Sequence, residues 1–200
     1  EETLGLDNTL IVYTSDHGDN IGEHGLFWKT NFYDGAARVP AMFSFKGHVK
    51  EKESIRGITS LMDLAPTLLE VGGAPFLPYC DGSSLWESLT TGKEVDPGRS
   101  VISVCSDIKG DNPSAMVRKG RYKLVLHAGY PECQLFDMES DPGEICDLGK
   151  KKEYEAIAEE LRRELSGIWE EKEMLERLDV DKQHFRYMKQ WYDQVKPPLV

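Results

Sequence analysis

The stretch Thr9–Pro40, TLIVYTSDHGDNIGEHGLFWKTNFYDGAARVP, is the part of the chain that decides the fold. It opens with an uninterrupted apolar run, Leu10–Tyr13, which is rich in β-branched and aromatic residues and predicts a strand buried on both faces of a parallel sheet. Asp16 and His17 follow this strand directly. Because open α/β sheets bind ligands at the carboxyl ends of their strands, we expect these two residues to lie at a functional site.

The residue types after the strand indicate the chemistry of that site. A carboxylate oxygen and an imidazole nitrogen, from Asp16 and His17, suit a divalent cation that has further oxygen ligands. A buried polar network or a capping role explains such a pair at least as often. Lys29 lies beyond two bulky aromatic residues, and its ammonium could hold the oxygens of a tetrahedral anion. The alternative for Lys29 is a solvated surface charge.

Several neighbours are supporting candidates for the same site. Glycines punctuate the segment and permit the tight turns that a rigid site loop needs. Arg38 could bind an anion, although an ion pair with Asp34 or Glu23 is the favoured interpretation. The other supporting candidates are Asp19, Glu23 and His24.

Downstream, the sequence predicts a second strand at Val39–Phe45 and a helix at Ser60–Val71, capped by Ser60 or Asp63 and stopped by a Gly-Gly pair. A small antiparallel sheet is predicted from four short runs, namely Val101–Cys105, Ala115–Arg118, Tyr122–His127 and Gln134–Met138. An apolar stripe at helical spacing predicts a helix that packs on this sheet, with Tyr154, Ile157, Leu161, Leu165, Ile168 and Trp169. A helical aromatic tail follows from Asp181; it either folds back or docks elsewhere.

The composition limits the partners. The 200-residue chain is 40% hydrophobic and 30% charged, which is typical of a globular protein. A net charge of -11 argues against nucleic-acid binding through a basic surface. No run of 18 apolar residues occurs, so we expect no membrane partner. The four cysteines show no zinc-ligand spacing, which favours free thiols over disulfides.

The combined pattern S-D-H-G-D-x-x-G-E-H-G-L-x-x-K followed by F-Y-D-G-x-x-R-V-P resembles the later half of the sulfatase family, in the alkaline-phosphatase-like superfamily. The D-H form is similar to choline-sulfatase-like and phosphonate-monoester-hydrolase-like members. The resemblance reaches about Leu165 and leaves the tail unmatched. It continues in Asp63–Leu69, Asp81–Leu85, Arg121–Leu124, Gln134–Asp137 and Asp141-Pro142.

This resemblance implies roles for three residues. Asp16 and His17 match the later ligands of a divalent metal, most often calcium, and Lys29 matches the lysine that contacts the sulfate group. Family members attack with a formylglycine made within a C/S-x-P/A-x-R motif, and neither that motif nor the early Asp pair of the metal site occurs in this sequence. We therefore expect a carboxyl-terminal piece of a sulfatase that is inactive alone, because two protein ligands fall short of the six to eight oxygens of calcium.

The resulting prediction is an α/β fold, the C-terminal part of an alkaline-phosphatase-like sulfatase fold. Residues 1–98 would belong to the catalytic domain, 99–178 to a sheet-plus-helix subdomain, and 179–200 to the tail. The parent protein would hydrolyse a small sulfate ester or a sulfated glycan. Hydrolysis of phosphonate or phosphate esters and a noncatalytic interaction module are the alternatives. Self-association, through the tail or through surface exposed by truncation, is a further expectation.

Overall fold

The computed structural model describes residues 5–51, 53–106 and 113–196. The ends of the predicted first domain and of the predicted tail, residues 1–4 and 197–200, lie outside this range. The strands are β1 Ile11–Thr14, β2 Asn20–Ile21, β3 Phe27–Trp28, β4 Ala41–Ser44, β5 Ser100–Cys105, β6 Ser114–Lys119, β7 Tyr122–His127 and β8 Gln134–Asp137. The helices are α1 Asp34–Ala37, α2 Leu64–Val71, α3 Trp86–Thr91, α4 Glu155–Glu164 and α5 Glu171–Val195.

The chain forms two compact units. The first comprises Glu1–Lys29, Tyr33–Val101 and Arg118–Gly120, and the second comprises Thr30–Phe32, Ile102–Val117 and Arg121–Val200. The mixed α/β content and the small sheets agree with the predicted fold class. The domain boundaries at 98/99 and 178/179 stay a prediction.

In the first unit, β1 pairs with β4, and among the described residues it has no parallel neighbour. The two strands are antiparallel, with Val12 opposite Phe43, and they form a two-stranded sheet. The prediction of a strand buried on both faces is wrong for this chain, since Ile11 is 50% exposed and Tyr13 is 61% exposed. An apolar run indicates that both faces of a strand suit burial, but composition specifies neither the direction of the neighbouring strand nor its presence.

The predicted helix after Ser60 is present with the predicted cap. The hydroxyl of Ser60 accepts a hydrogen bond from Met62 N at 3.2 Å, and Ser60 N donates to Asp63 Oδ2 at 2.8 Å, which completes a capping box. A 3₁₀ turn, Leu61–Asp63, leads into α2. Asp63 is fully buried, and its Oδ1 also accepts from Arg99 Nη2 at 2.6 Å. The capping box thus provides hydrogen bonds both for the buried carboxylate of Asp63 and for the backbone at the start of the helix.

The strands β5-β6-β7-β8 form a four-stranded sheet in this order, and most of their residues belong to the second unit. Strands β7 and β8 are antiparallel, with Leu124 opposite Leu135. Gly120, with φ 51°, forms the tight turn between β6 and β7, a conformation that glycine adopts without steric cost. The four predicted strands are therefore confirmed, each to within one residue at either end.

Helix α4 buries its apolar stripe in the core of the second unit. Leu161 and Leu165 are 3% and 1% exposed, and they belong to the same buried cluster as Leu124 and Leu135 of the sheet. Burial of a leucine side chain contributes about 1.5–3 kcal/mol, so this contact is a main source of stability. The predicted inclusion of Ile168 in the stripe is wrong. Helix α4 ends at Glu164, and Ile168 is 49% exposed.

A buried ion pair lies in the same unit. Lys123 Nζ is 2.6 Å from Glu144 Oε1, and the two side chains are 2% and 3% exposed. The same ammonium donates to the carbonyl oxygen of Phe32 at 2.8 Å. Lys123 therefore connects the sheet to two loops through a charge that has no access to bulk water.

Helix α5 begins ten residues before the predicted tail. Its first turns pack on the second unit, where Leu178 is 3% exposed and Met174 contacts the core cluster. Its later aromatic residues are exposed, with Phe185 at 42% and Trp191 at 50%. No helix within residues 5–51, 53–106 and 113–196 is long and apolar enough to cross a membrane.

Candidate functional site

The loop after β1 is held by its own polar groups. The hydroxyl of Ser15 donates to the carbonyl oxygen of His17 at 2.8 Å, and His17 N donates to Asp16 Oδ1 at 3.0 Å. Gly18 N then donates to Ala36 O at 2.8 Å. These bonds fix the loop at both ends, so Asp16 and His17 leave the strand in a defined direction.

Gly18 is required by a close backbone contact. A Cβ atom added at Gly18 would lie 2.1 Å from the carbonyl oxygen of Gly35, which is far inside van der Waals contact. A Cβ atom added at Gly35 would in turn lie 2.9 Å from Oδ1 of Asn20. The absence of two side chains therefore lets α1 approach the site loop.

Lys29 lies against His17 across the loop. Lys29 Nζ is 2.5 Å from His17 Nε2, and His17 Nδ1 is 2.8 Å from the carbonyl oxygen of Gly18. An ammonium can only donate, so Nε2 must accept and Nδ1 must carry the proton that bonds to Gly18. The imidazole therefore presents the lone pair of Nε2 to a cation, as a metal-ligating histidine does.

Asp16 supplies the second acceptor. Asp16 Oδ2 is 3.3 Å from His17 Nε2, while the carboxylate stays open to solvent at 84% exposure. Desolvation acts to raise the pKa of Asp16, but hydrogen bonds from the loop backbone and from the Ser15 hydroxyl act to lower it, and the net shift of the pKa is downward. Asp16 is therefore ionised at neutral pH and adds a negative charge to the acceptor pair.

The spacing of Asp16 Oδ2 and His17 Nε2 fits part of a divalent-metal site. Two ligand atoms at right angles, each about 2.3 Å from one cation, are about 3.3 Å apart, which matches the distance between Asp16 Oδ2 and His17 Nε2. Within the described part of the chain, no group of three or more His, Cys, Asp or Glu residues could hold a metal ion. The residues that could hold the metal are thus the two that the sequence predicted, and their assignment as ligands stays a prediction.

The supporting candidates have local roles instead. Glu23 Oε2 accepts from Ile21 N at 2.7 Å. His24 stacks on Tyr33, with the ring centroids 3.8 Å apart. Arg38 forms an ion pair with Asp34 at 3.9 Å, as predicted, rather than with Glu23. Asp19 is exposed.

Sequence reasoning did not assign a role to Asn20. This residue is 1% exposed, and its Nδ2 donates to the carbonyl oxygen of Trp28 at 2.8 Å. The available signal was its place between the glycines of a compact loop, where an asparagine side chain often bonds to backbone. All four cysteines are free thiols; Cys133 is buried and Cys146 is exposed.

Comparison with known families identifies the family of the chain. Residues 22–171 match the family described as N-sulphoglucosamine sulphohydrolase, C-terminal. The chain belongs to this sulfatase family. The matched range contains Lys29 and begins after Asp16 and His17.

Two curated relatives agree with the sulfatase assignment. The chain is 37% identical to the choline-sulfatase of Rhizobium meliloti (strain 1021) over 151 residues, which is 74% of this chain and 28% of that protein. It is 30% identical to arylsulfatase K of Homo sapiens over 171 residues, which is 82% of this chain and 31% of that protein. The sulfatase chain thus spans about a third or less of the length of these relatives.

Solved structures show the same fold. The structure of BT4656 in complex with its substrate D-glucosamine-2-N,6-O-disulfate has a TM-score of 0.75 and 30% identity, and the match covers 82% of this sulfatase chain and 35% of that chain. The phosphonate monoester hydrolase of Agrobacterium radiobacter has a TM-score of 0.66 and 28% identity, with coverage of 80% and 34%. The fold is therefore the C-terminal part of an alkaline-phosphatase-like sulfatase.

Proposed function

We propose that the whole protein hydrolyses sulfate esters and that this chain supplies part of its active site. The observation that carries the proposal is the contact of Lys29 with His17, which itself lies against Asp16, in a chain of the sulfatase family. A cation and two acceptors after one strand would provide a partial metal site and an anion-binding group side by side. Sulfate esters are tetrahedral anions, which is the class of ligand that such a pair of positive charges binds.

Each residue has a separate task in this proposal. Asp16 Oδ2 and His17 Nε2 would hold the divalent metal, for which calcium is expected, and the bound metal would act as a Lewis acid toward the sulfate oxygens. The carbonyl oxygen of Gly18 holds the His17 proton on Nδ1, so Nε2 carries the lone pair that the metal would take in place of the Lys29 ammonium. Lys29 Nζ lies beside His17 Nε2, so its ammonium would meet an anion that binds next to this ligand atom.

The substrate class follows from the relatives as part of the same proposal. We expect either a sulfated glycan or a small sulfate ester, because one structural neighbour contains a disulfated glucosamine and one curated relative is a choline-sulfatase. We also expect the 200-residue chain to be inactive by itself, since its sequence contains no C/S-x-P/A-x-R motif. The nucleophile, a formylglycine in the parent enzyme, would come from sequence outside this chain.

The test is a substitution of Lys29 in the whole protein. Lys29→Ala should lower kcat/KM for an aryl sulfate by about two to three orders of magnitude, which is the usual effect of removing one donor that stabilises an oxyanion. Lys93→Ala is the matched control, because Lys93 is a surface lysine, 66% exposed and paired with Glu87. Sulfatase activity that survives Lys29→Ala unchanged would contradict the assignment. Robust turnover by the 200-residue chain alone, with calcium, would contradict the expectation of inactivity.

Hydrolysis of phosphonate esters is the second candidate. It is favoured by the likeness to a phosphonate monoester hydrolase at a TM-score of 0.66. Both substrates are tetrahedral anions, and Lys29 would contact either through its ammonium. Relative kcat/KM values of the whole protein on an aryl sulfate and on the matched aryl phosphonate decide between the two. A preference for the phosphonate would replace the sulfatase proposal.

A further inference from the structure

Asn20 makes a buried hydrogen bond across the site loop. Its side chain is 1% exposed, and Nδ2 donates to the carbonyl oxygen of Trp28 at 2.8 Å. Asn20 and Trp28 are also partners in the register of β2 and β3. Oδ1 of Asn20 has no hydrogen-bond partner among the described residues. The amide group of Asn20 therefore acts here as a donor, and its target is the backbone of Trp28.

Trp28 has an unfavourable backbone conformation that needs such support. Its φ is 78°, in the left-handed region that bulky residues avoid. A non-glycine residue held in this region is strained and persists only where its surroundings fix it. The indole ring cannot supply that constraint, because Trp28 is 67% exposed. The strand pairing and the bond from Asn20 are thus the contacts that hold Trp28.

The conformation of Trp28 sets the direction of Lys29, the next residue. The left-handed backbone of Trp28 directly precedes Lys29, whose Nζ lies 2.5 Å from His17 Nε2. A change of Trp28 to an extended conformation would direct the Lys29 side chain elsewhere. We propose that Asn20 is a positioning residue that places the ammonium of Lys29 against His17. This inference rests on the proposed function for the role of Lys29 toward the substrate, but the placement itself is independent of it.

The experiment is ¹⁵N NMR of the His17 imidazole in the 200-residue chain. Lys29→Met defines the shift of Nε2 when the ammonium is removed. Asn20→Leu, which is close in size but cannot donate, should move the Nε2 resonance by at least half of that difference. Thr67→Val is the control, because Thr67 is another fully buried polar residue of the same unit and accepts from Leu85 N at 2.8 Å. It should destabilise the chain and leave the His17 resonances in place.

An unchanged Nε2 resonance in a folded Asn20→Leu chain overturns the inference, provided that Lys29→Met does shift it. If Asn20→Leu does not fold, the wild-type chain can still be used to test the hydrogen bond on which the inference depends. A scalar coupling between Asn20 Nδ2 and the carbonyl carbon of Trp28 is expected, and its absence refutes the bond. Neither measurement needs substrate or metal. An active Lys29→Ala enzyme would contradict the proposed function. An unchanged Nε2 resonance in Asn20→Leu would contradict the positioning role, so the two failures are distinguishable.

Discussion

Glu144→Gln is expected to destabilise the second unit by about 3 kcal/mol. Glu144 faces Lys123 at 2.6 Å with both side chains at most 3% exposed, so the substitution leaves a buried ammonium without its counter-charge. Breaking a buried ion pair in this way typically costs about 3–5 kcal/mol. We expect the lower end of that range, because Lys123 keeps its hydrogen bond to the carbonyl oxygen of Phe32.

The assay is urea unfolding followed by circular dichroism, with Glu144→Gln, Lys123→Met and the double variant compared in one cycle. The double variant should lose less free energy of unfolding than the sum of the single variants, because it leaves no lone buried charge. Glu132→Gln is the control, since Glu132 pairs with Lys150 at the surface, where side-chain exposures are 63% and 68% and the expected loss is at most about 1 kcal/mol. A loss below about 1 kcal/mol for Glu144→Gln, or strict additivity, would refute the reasoning.

Two further predictions concern stability. Arg121 donates to Asp137 from Nε at 2.8 Å, and this bonding lowers the pKa of Asp137 well below its ordinary value of 3.8. The resulting stabilisation is complete above the unfolded pKa and is lost as pH falls through the lowered folded pKa. Asp137→Asn should therefore lose less free energy of unfolding between about pH 5 and pH 2 than the wild-type chain. An equal dependence of unfolding free energy on pH in the two chains would argue against this role of Asp137. Gly18→Ala should cost about 1–3 kcal/mol in urea unfolding, because its Cβ would meet a carbonyl oxygen at 2.1 Å. Gly98→Ala, whose Cβ makes only an ordinary contact at 3.4 Å, should change stability by less than about 0.5 kcal/mol, and a similar loss in both variants would contradict the steric explanation.

Local patterns in the sequence predicted much of the fold. The four strands of the second unit were predictable because turn residues separate short β-rich runs, and the start of α2 because Ser60 and Asp63 form a capping box. The antiparallel partner of β1 was not predictable, since the direction of a neighbouring strand depends on how the chain connects. The short helices α1 and α3 also escaped prediction, because four and six residues carry too little periodicity.

The candidate site was predictable in residue type and not in geometry. Asp16, His17 and Lys29 follow from their place after a strand and from the family pattern, but the contact of Lys29 with His17 depends on the path of the loop between them. The buried role of Asn20 was not predicted, because a polar residue in a glycine-rich loop is expected at the surface and only the fold buries it. Lys123 escaped for a similar reason, as its partner Glu144 lies in a distant loop.

The mutual contact of Gly18 and Gly35 limits how this region can be transplanted. The site loop and α1 fit together because each lacks a side chain where the other approaches, and Asn20 touches the same place. A graft that carries only the loop into another scaffold would bring Gly18 without the backbone that it accommodates. The segment that begins at Ile11 and ends at Ser44 contains both members of the contact and both strands of its sheet. It is therefore the smallest block that can be exchanged between relatives with this steric match intact.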